Sequence, residues 1–201
     1  MDKWLVSVSI ALALASAGIQ AAGDAAQGKT KSATCLACHG PDGNSPNPIW
    51  PKLAGQHPGY IVQQLRDFKA GDRKNDLMTP MVAPLNDQDI EDLAAYFGSQ
   101  VQAKGVAAAD QVALGEKIFR AGNPASGVAA CMACHGPTGS GNAPAKFPRI
   151  GGQHAAYLEQ SLKAFRSGGR TNDANQMMQG VAAKMTDAEI SAVAQYAQGL
   201  R

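Results

Sequence analysis

The chain has 201 residues, of which 45% are hydrophobic and 17% are charged, and its formal net charge is +2. Because this charge is weak and the chain has no basic run, nothing in the composition indicates nucleic acid binding. The length is enough for one ordinary domain or two small ones. All four cysteines belong to the two motifs described below, so none is left over for a structural disulfide.

The first segment of the chain is apolar from Leu5 to Ile19 and follows a short charged start. A charged start, an apolar core and small residues at a cleavage point are typical of a secretory signal peptide. We predict a signal peptide over residues 1–21, with cleavage after Ala21 and with Ala22 as the alternative. An uncleaved membrane anchor is the other interpretation, although the run is shorter than the ~20 apolar residues that a bilayer span needs. We therefore expect an exported protein.

Two copies of a Cys-x-x-Cys-His motif follow, at residues 35–39 and 131–135. This motif is the attachment signature of a c-type haem. Each sulfur forms a thioether with one vinyl group of the porphyrin, and two intervening residues make about one helical turn, which spans the edge of the macrocycle. The next histidine is then delivered under the iron as an axial ligand. We predict two covalently attached haem c groups, bound by Cys35, Cys38, Cys131 and Cys134, with His39 and His135 as iron ligands.

Three other interpretations of the four cysteines are two disulfides, a zinc site and a pair of thioredoxin-like redox centres. A zinc site prefers further cysteines or histidines at metal-ligand spacing. A redox pair does not need the histidine and usually lies among strands. Because a histidine follows both pairs and no cysteine lies outside them, haem attachment is favoured.

The chain is a duplicated unit with a repeat of about 97 residues. Residues 51–57 (PKLAGQH) recur as residues 148–154 (PRIGGQH), and residues 68–76 recur as residues 165–173. A period of this length is too long for a solenoid and indicates two tandem domains. The Ala- and Gly-rich stretch 100–110 marks the boundary, so we predict domains over residues 22–102 and 108–201.

Each unit is predicted to be helical, with no alternation typical of strands. An opening helix precedes each motif, over residues 24–34 and 110–120, and a middle helix carries Tyr60 in the first unit and Tyr157 in the second. The closing helices start at good N-cap residues, Asn86 and Thr186. Four apolar residues then share one face of each closing helix: Ile90, Leu93, Ala94 and Phe97, and Ile190, Val193, Ala194 and Ala197. We further expect Gly28 and Gly115 to let the closing helices approach the opening ones beside Tyr96 and Tyr196.

A six-coordinate electron carrier needs a second axial ligand on the far face of each haem, and the soft thioether of methionine favours Fe(II). When the repeats are aligned on the closing helices, Met78 pairs with Met178, each nine residues before an aspartate. When they are aligned on the preceding Asn-Asp pairs, Met81 pairs with Met178 instead. We prefer Met78 to Met81, and Met178 to Met177, because the helix alignment also superposes other closing-helix residues.

His57 and His154 are rival axial ligands, since they occupy equivalent positions in the two units. They lie in polar Gly-Gln-His turns before a helix, so a helix-start or surface role is the favoured interpretation. The backbone carbonyls of Pro51 and Pro148 have a different candidate role. Each could accept the Nδ1 hydrogen of the axial histidine, which would fix the orientation of that ring and raise its donor strength.

With these motifs in place, the chain closely resembles the cytochrome c4 family. The resemblance rests on the ordered pairs of residues 51–57 with Met78 and of residues 148–154 with Met178, and it covers nearly all of the mature chain. It implies an all-α protein of two tandem class I cytochrome c domains related by a pseudo-twofold, with haem edges that face each other across the domain interface.

The resemblance also implies His/Met ligation at both irons, which matches His39 with Met78 and His135 with Met178. It implies a periplasmic electron carrier, often membrane-associated, that feeds a terminal oxidase. Its partners would then be redox proteins, such as a quinol-oxidising complex as donor. One departure from the family pattern is the short loop between Gly71 and Met78, so the choice of Met78 rests on the internal repeat as well.

We therefore expect a carrier that holds one electron per haem in the respiratory chain, not an enzyme, and that acts on no small-molecule substrate. A two-haem peroxidase would need one iron with an open or releasable sixth position, whereas both units offer a methionine. A cytochrome subunit of a larger oxidoreductase, such as a flavin-dependent sulfide dehydrogenase, is the second alternative, because such subunits resemble this family.

Overall fold

A computed structural model describes residues 23–200, and this part of the chain contains ten α-helices, three single turns of 3-10 helix and no strand. The prediction of an all-α protein is therefore confirmed. The predicted signal peptide, residues 1–21, lies outside the described residues. Within residues 23–200, no helix combines the length and the apolar character that a membrane crossing requires.

The helices form two series in the same order, separated by residues 101–108, which are neither helix nor strand. The N-terminal half contains α1 (Ala25–Lys31), α2 (Leu36–His39), α3 (Pro58–Ala70), α4 (Met78–Val82) and α5 (Asp87–Ser99). The C-terminal half contains α6 (Val112–Ala121), α7 (Met132–His135), α8 (Ala155–Ser167), α9 (Met177–Ala182) and α10 (Asp187–Gly199). The 3-10 turns are Ser32–Thr34, Ala109–Gln111 and Ala174–Gln176.

The closing helices α5 and α10 supply much of the core of each half. All eight residues predicted to share their apolar faces are buried. Asn86 and Thr186 cap these helices, and in both cases the side chain of the third helical residue hydrogen-bonds back to the backbone of the cap. The box at Thr186 follows the usual Thr-x-x-Glu pattern. At Asn86 the returning side chain is the shorter Asp89, which the sequence analysis did not predict.

The opening and closing helices of each half cross in very close contact at a glycine. A Cβ atom on Gly28 would overlap the carbonyl oxygen of Asp92 and lie 2.7 Å from the Cβ atom of Tyr96. A Cβ atom on Gly115 would likewise overlap the α10 backbone and lie 2.6 Å from the Cβ atom of Tyr196. The predicted role of the two glycines beside the two tyrosines is confirmed.

Candidate haem-binding sites

Each Cys-x-x-Cys-His motif forms a single helical turn, α2 or α7, that starts directly after its first cysteine. The backbone N–H of His39 donates to the carbonyl of Cys35 at 2.9 Å, and the N–H of His135 donates to that of Cys131 at 2.9 Å. This turn gathers two thiols and one imidazole on a short stretch of chain. Among residues 23–200, no disulfide joins any of the four cysteines, and no cluster of three metal-ligating side chains occurs. The geometry thus favours neither disulfides nor a zinc site.

The two motif histidines are buried and held by one nitrogen each. Nδ1 of His39 lies 2.9 Å from the carbonyl oxygen of Pro51, and Nδ1 of His135 lies 3.0 Å from that of Pro148. Because a carbonyl only accepts, Nδ1 carries the hydrogen in the neutral ring, and Nε2 keeps its lone pair. Burial lowers the pKa of both imidazoles against the opposing effect of the Pro carbonyl. Both rings are therefore kept in the neutral form that binds a metal.

The preferred methionines occupy equivalent places in the two halves. Met78 is the first residue of α4 and Met178 is the second residue of α9, and both side chains are partly buried. The alternative ligands are more exposed to solvent: Met81 is 50% exposed and Met177 is 41% exposed. Neither short helix was predicted from the sequence, although each packs against the middle helix of its half.

The residues of each half suit a covalently attached haem. Two thiols one turn apart suit the two vinyl groups of a porphyrin, the imidazole offers Nε2 to a metal, and each half also contains a partly buried methionine. This donor set occurs once in each half, in the same order along the chain.

Comparisons with known proteins bear on the family of the chain. A family model described as cytochrome c matches residues 25–100 and 112–201. Cytochrome c4 of Thiocapsa roseopersicina is 55% identical over 180 residues, which cover 89% of this chain and 93% of the relative. A crystal structure of reduced recombinant cytochrome c4 from Pseudomonas stutzeri matches with a TM-score of 0.87 at 50% identity, covering 90% of this chain and all of that one.

The chain belongs to the cytochrome c4 family. It therefore consists of two tandem cytochrome c domains and is a dihaem electron-transfer protein, with two covalently attached haem c groups. Members of the cytochrome c4 family are electron carriers and not enzymes. A thiosulfate dehydrogenase electron acceptor of Thiomonas intermedia is also similar, at 39% identity over 171 residues, which cover 83% of this chain and 78% of the relative.

In this cytochrome c4 family member, the rival histidines hold the two halves together. Nε2 of His57 lies 2.8 Å from the carbonyl oxygen of Ser140, and Nε2 of His154 lies 2.8 Å from that of Ser45. Both contacts join one half to the other, and each histidine also directly precedes its middle helix, as predicted. No local sequence pattern predicts these contacts between the halves, because the partner carbonyls are more than 80 residues away.

Two arginines form a second reciprocal contact between the halves. Each guanidinium lies over a phenylalanine ring of its own half and donates to a tyrosine hydroxyl of the other half. The guanidinium carbon of Arg73 lies 4.6 Å from the centre of the Phe68 ring, and Nη2 of Arg73 lies 3.0 Å from the hydroxyl of Tyr157. The guanidinium carbon of Arg170 lies 4.4 Å from the centre of the Phe165 ring, and Nη2 of Arg170 lies 3.0 Å from the hydroxyl of Tyr60. Burial opposes ionisation of Tyr157, but the two guanidinium groups outweigh it and lower the pKa of that hydroxyl. The tyrosine hydroxyls thus accept from fixed cations on both sides of the interface.

Proposed function

We propose that this chain is a periplasmic carrier that passes single electrons between respiratory-chain proteins, toward a terminal oxidase. The observation that carries the proposal is the repetition of one complete donor set: an anchored histidine and a partly buried methionine in each half. A histidine and a methionine of each half would then bind the iron, and an iron held in this way would exchange electrons without binding a substrate.

Each residue of the donor set has a distinct role in this proposal. Cys35 and Cys38, like Cys131 and Cys134, fix the macrocycle by thioethers. His39 and His135 donate Nε2, while the carbonyl oxygens of Pro51 and Pro148 set the orientation of the rings and raise their basicity. Met78 and Met178 supply sulfur, which favours the reduced metal. The haem, when bound, supplies the one-electron Fe(III)/Fe(II) couple.

The proposed location rests on the first residues of the chain, and the proposed partners rest on membership of the cytochrome c4 family. Residues 1–21 act as a signal peptide for export, and haem attachment takes place outside the bacterial cytoplasm. The partners are redox proteins, with a quinol-oxidising complex as donor and a terminal oxidase as acceptor. Their encounters are transient, as is usual for electron-transfer complexes.

Ligand variants test the proposed coordination. The oxidised holoprotein should show a methionine-to-iron charge-transfer band from both haems, and Met78→Ala and Met178→Ala should each remove half of it. Met81→Ala and Met177→Ala are matched controls that leave the band intact. If Met81→Ala removes half of the band while Met78→Ala leaves it unchanged, the choice of ligand in the N-terminal half is wrong. If the wild-type protein lacks the band altogether, methionine does not ligate either iron.

A second candidate is an electron acceptor for a sulfur-compound dehydrogenase, which corresponds to the predicted alternative of a subunit in a larger oxidoreductase. The similarity to a thiosulfate dehydrogenase electron acceptor favours it. Mixing the oxidised holoprotein with such a dehydrogenase and thiosulfate distinguishes the two candidates. Reduction within seconds supports the acceptor role, whereas reduction only by a quinol-oxidising complex supports the respiratory role.

A further inference from the structure

The peptide bond between Pro51 and Lys52 connects the two halves of the molecule. Its carbonyl oxygen accepts a hydrogen bond from Nδ1 of His39, at 2.9 Å. Its N–H group, which belongs to Lys52, donates to Oε1 of Gln153 in the C-terminal half, at 2.8 Å. One planar amide therefore links the histidine of one half to a glutamine of the other.

The same arrangement occurs in the opposite direction. The peptide bond between Pro148 and Arg149 accepts from Nδ1 of His135 at 3.0 Å through its oxygen. Its N–H group donates to Oε1 of Gln56, in the N-terminal half, at 2.8 Å. Each half thus contributes one glutamine that contacts the peptide behind the histidine of the other half.

Both glutamine side chains are fixed in one orientation. Gln56 is 8% exposed and Gln153 is 3% exposed. Nε2 of Gln153 donates to the carbonyl of Lys52 at 2.8 Å, and Nε2 of Gln56 donates to that of Arg149 at 2.9 Å. Each carboxamide therefore binds both the N–H and the C=O of the residue it contacts, and a flipped amide would lose both bonds.

Hydrogen bonds at the two ends of a peptide group reinforce each other. When the N–H group donates, the amide becomes more polarised and its oxygen becomes a better acceptor. A better acceptor draws the Nδ1 hydrogen of the histidine closer, which raises the basicity of Nε2. A more basic axial ligand stabilises the oxidised metal and lowers its reduction potential.

We propose that Gln153 tunes the reduction potential of the haem held by His39, and that Gln56 tunes that of the haem held by His135. The two glutamines are positioning residues, since they act through a peptide group and touch neither histidine. This inference rests on the proposed function, because it takes His39 and His135 to be the iron ligands. On this proposal, each half influences the reduction potential of the haem in the other half.

The test is a redox titration of the holoprotein followed by NMR, with the haem methyl signals assigned to each half through contacts with its residues. Gln153→Leu removes the acceptor and should raise the potential of the haem in the N-terminal half, while the other haem stays unchanged. Gln56→Leu should do the reverse. The expected size is about a threefold change in the redox equilibrium constant, or about 28 mV at 59 mV per tenfold for one electron.

Two further variants separate tuning from a structural effect. Gln153→Glu keeps an oxygen acceptor for Lys52, so the potential of the N-terminal haem should stay at or below the wild-type value. Asn172→Ala removes hydrogen bonds from Asn172 to Gln64 and Asp67 across the same interface, but it touches neither peptide. This control should leave both potentials unchanged.

The outcomes distinguish the inference from the function on which it rests. A crossed pattern, in which each glutamine variant shifts the haem of the opposite half, supports the inference. If both haems titrate reversibly but shift together, shift in the mutated half or do not shift, the inference is wrong and the electron carrier stands. If no reversible one-electron titration occurs in the wild type, the proposed function itself fails. Should one glutamine variant not fold, the mirror variant still provides the test.

Discussion

A buried carboxylate, Asp92, lies where α1 crosses α5 in the N-terminal half, whereas Ala192 occupies the equivalent place on α10 in the C-terminal half. The carboxylate of Asp92 accepts from the N–H of Asp24 at 2.8 Å, from Gln88 at 2.8 Å and from Nζ of Lys31 at 2.6 Å. Ala192 is fully buried and offers only a methyl group. The same helix crossing therefore contains a hydrogen-bonded carboxylate in one half and a methyl group in the other.

The hydrogen bonds that Gln56 and Gln153 form between the halves differ much less. Gln56 and Gln153 make the same pair of hydrogen bonds to Arg149 and Lys52, with distances that agree within 0.1 Å. The side chains of the two residues that the glutamines contact do differ. Nζ of Lys52 donates to two carbonyls, while Nε of Arg149 has no hydrogen-bond partner among residues 23–200. The halves therefore share the backbone hydrogen bonds of the peptides that contact His39 and His135. They differ in side-chain packing and charge, as at Asp92 and Ala192.

The largest effect is expected at the shared helix crossing, where both halves depend on a glycine. Gly28→Ala and Gly115→Ala each force a Cβ atom into the backbone of the closing helix, and α1 or α6 must move away. Each substitution should lower the free energy of unfolding by about 3 kcal/mol. Guanidinium unfolding of the holoprotein, followed by circular dichroism, measures this loss.

Two other helical glycines serve as controls for that prediction. A Cβ atom at Gly59 or Gly180 would meet no atom within 4 Å. Alanine at either position should raise the free energy of unfolding by about 0.5 kcal/mol, because it restricts the unfolded chain. If Gly28→Ala or Gly115→Ala changed the free energy of unfolding no more than the controls do, the helices would be able to separate at little cost.

A smaller effect should appear in only one half, at Asp92. Asp92→Ala copies the C-terminal half and removes the acceptor of three hydrogen bonds, so the free energy of unfolding at neutral pH should fall by about 2 kcal/mol. No change on replacement of Asp92 would show that the carboxylate contributes nothing net.

The same carboxylate predicts a difference in acid stability. The hydrogen bond from Lys31, followed by those from Asp24 and Gln88, lowers the pKa of Asp92 from its ordinary 3.8 to about 2. A lowered pKa in the folded state means that the stabilisation is complete above pH ~4 and is lost as the pH falls toward 2. Unfolding measured between pH 5 and 2 should therefore show a steeper loss for the wild type than for Asp92→Ala. Parallel curves would contradict this assignment.

The smallest effect is expected at the caps, where the two halves again agree in geometry. Asn86→Ala and Thr186→Ala each remove a side-chain acceptor for the N–H of the third helical residue, which typically costs about 1 kcal/mol. Asn86→Ser and Thr186→Ser keep an acceptor and should recover most of that loss in the same denaturant measurement. Equal losses for alanine and serine would assign the effect to packing.

The sequence predicts the repeated parts of this fold because each repeat confirms the other. The motif turns, the closing helices with their buried faces and the close approach at Gly28 and Gly115 all follow from local patterns. The short helices α4 and α9 do not follow from such patterns, because five or six residues that include Pro80 or Gly180 show too little periodicity. Their presence is determined by packing against the middle helices.

The contacts between the halves were beyond sequence reasoning for a different reason. Gln56 and Gln153 were visible as identical residues in the two repeats, but their partners lie 93 and 101 residues away. No local pattern states which backbone a carboxamide will meet. Their recurrence directly before His57 and His154 was the one available signal that they have a shared role.

The most direct test of the whole account is a mass measurement on peptides. The protein is exported from a host that matures c-type cytochromes, and it is then alkylated and digested. Mass spectrometry gives the masses of the peptides that contain residues 35–39 and 131–135. We predict one haem on each peptide and no alkylated cysteine. An alkylated Cys-x-x-Cys pair in either half would contradict it.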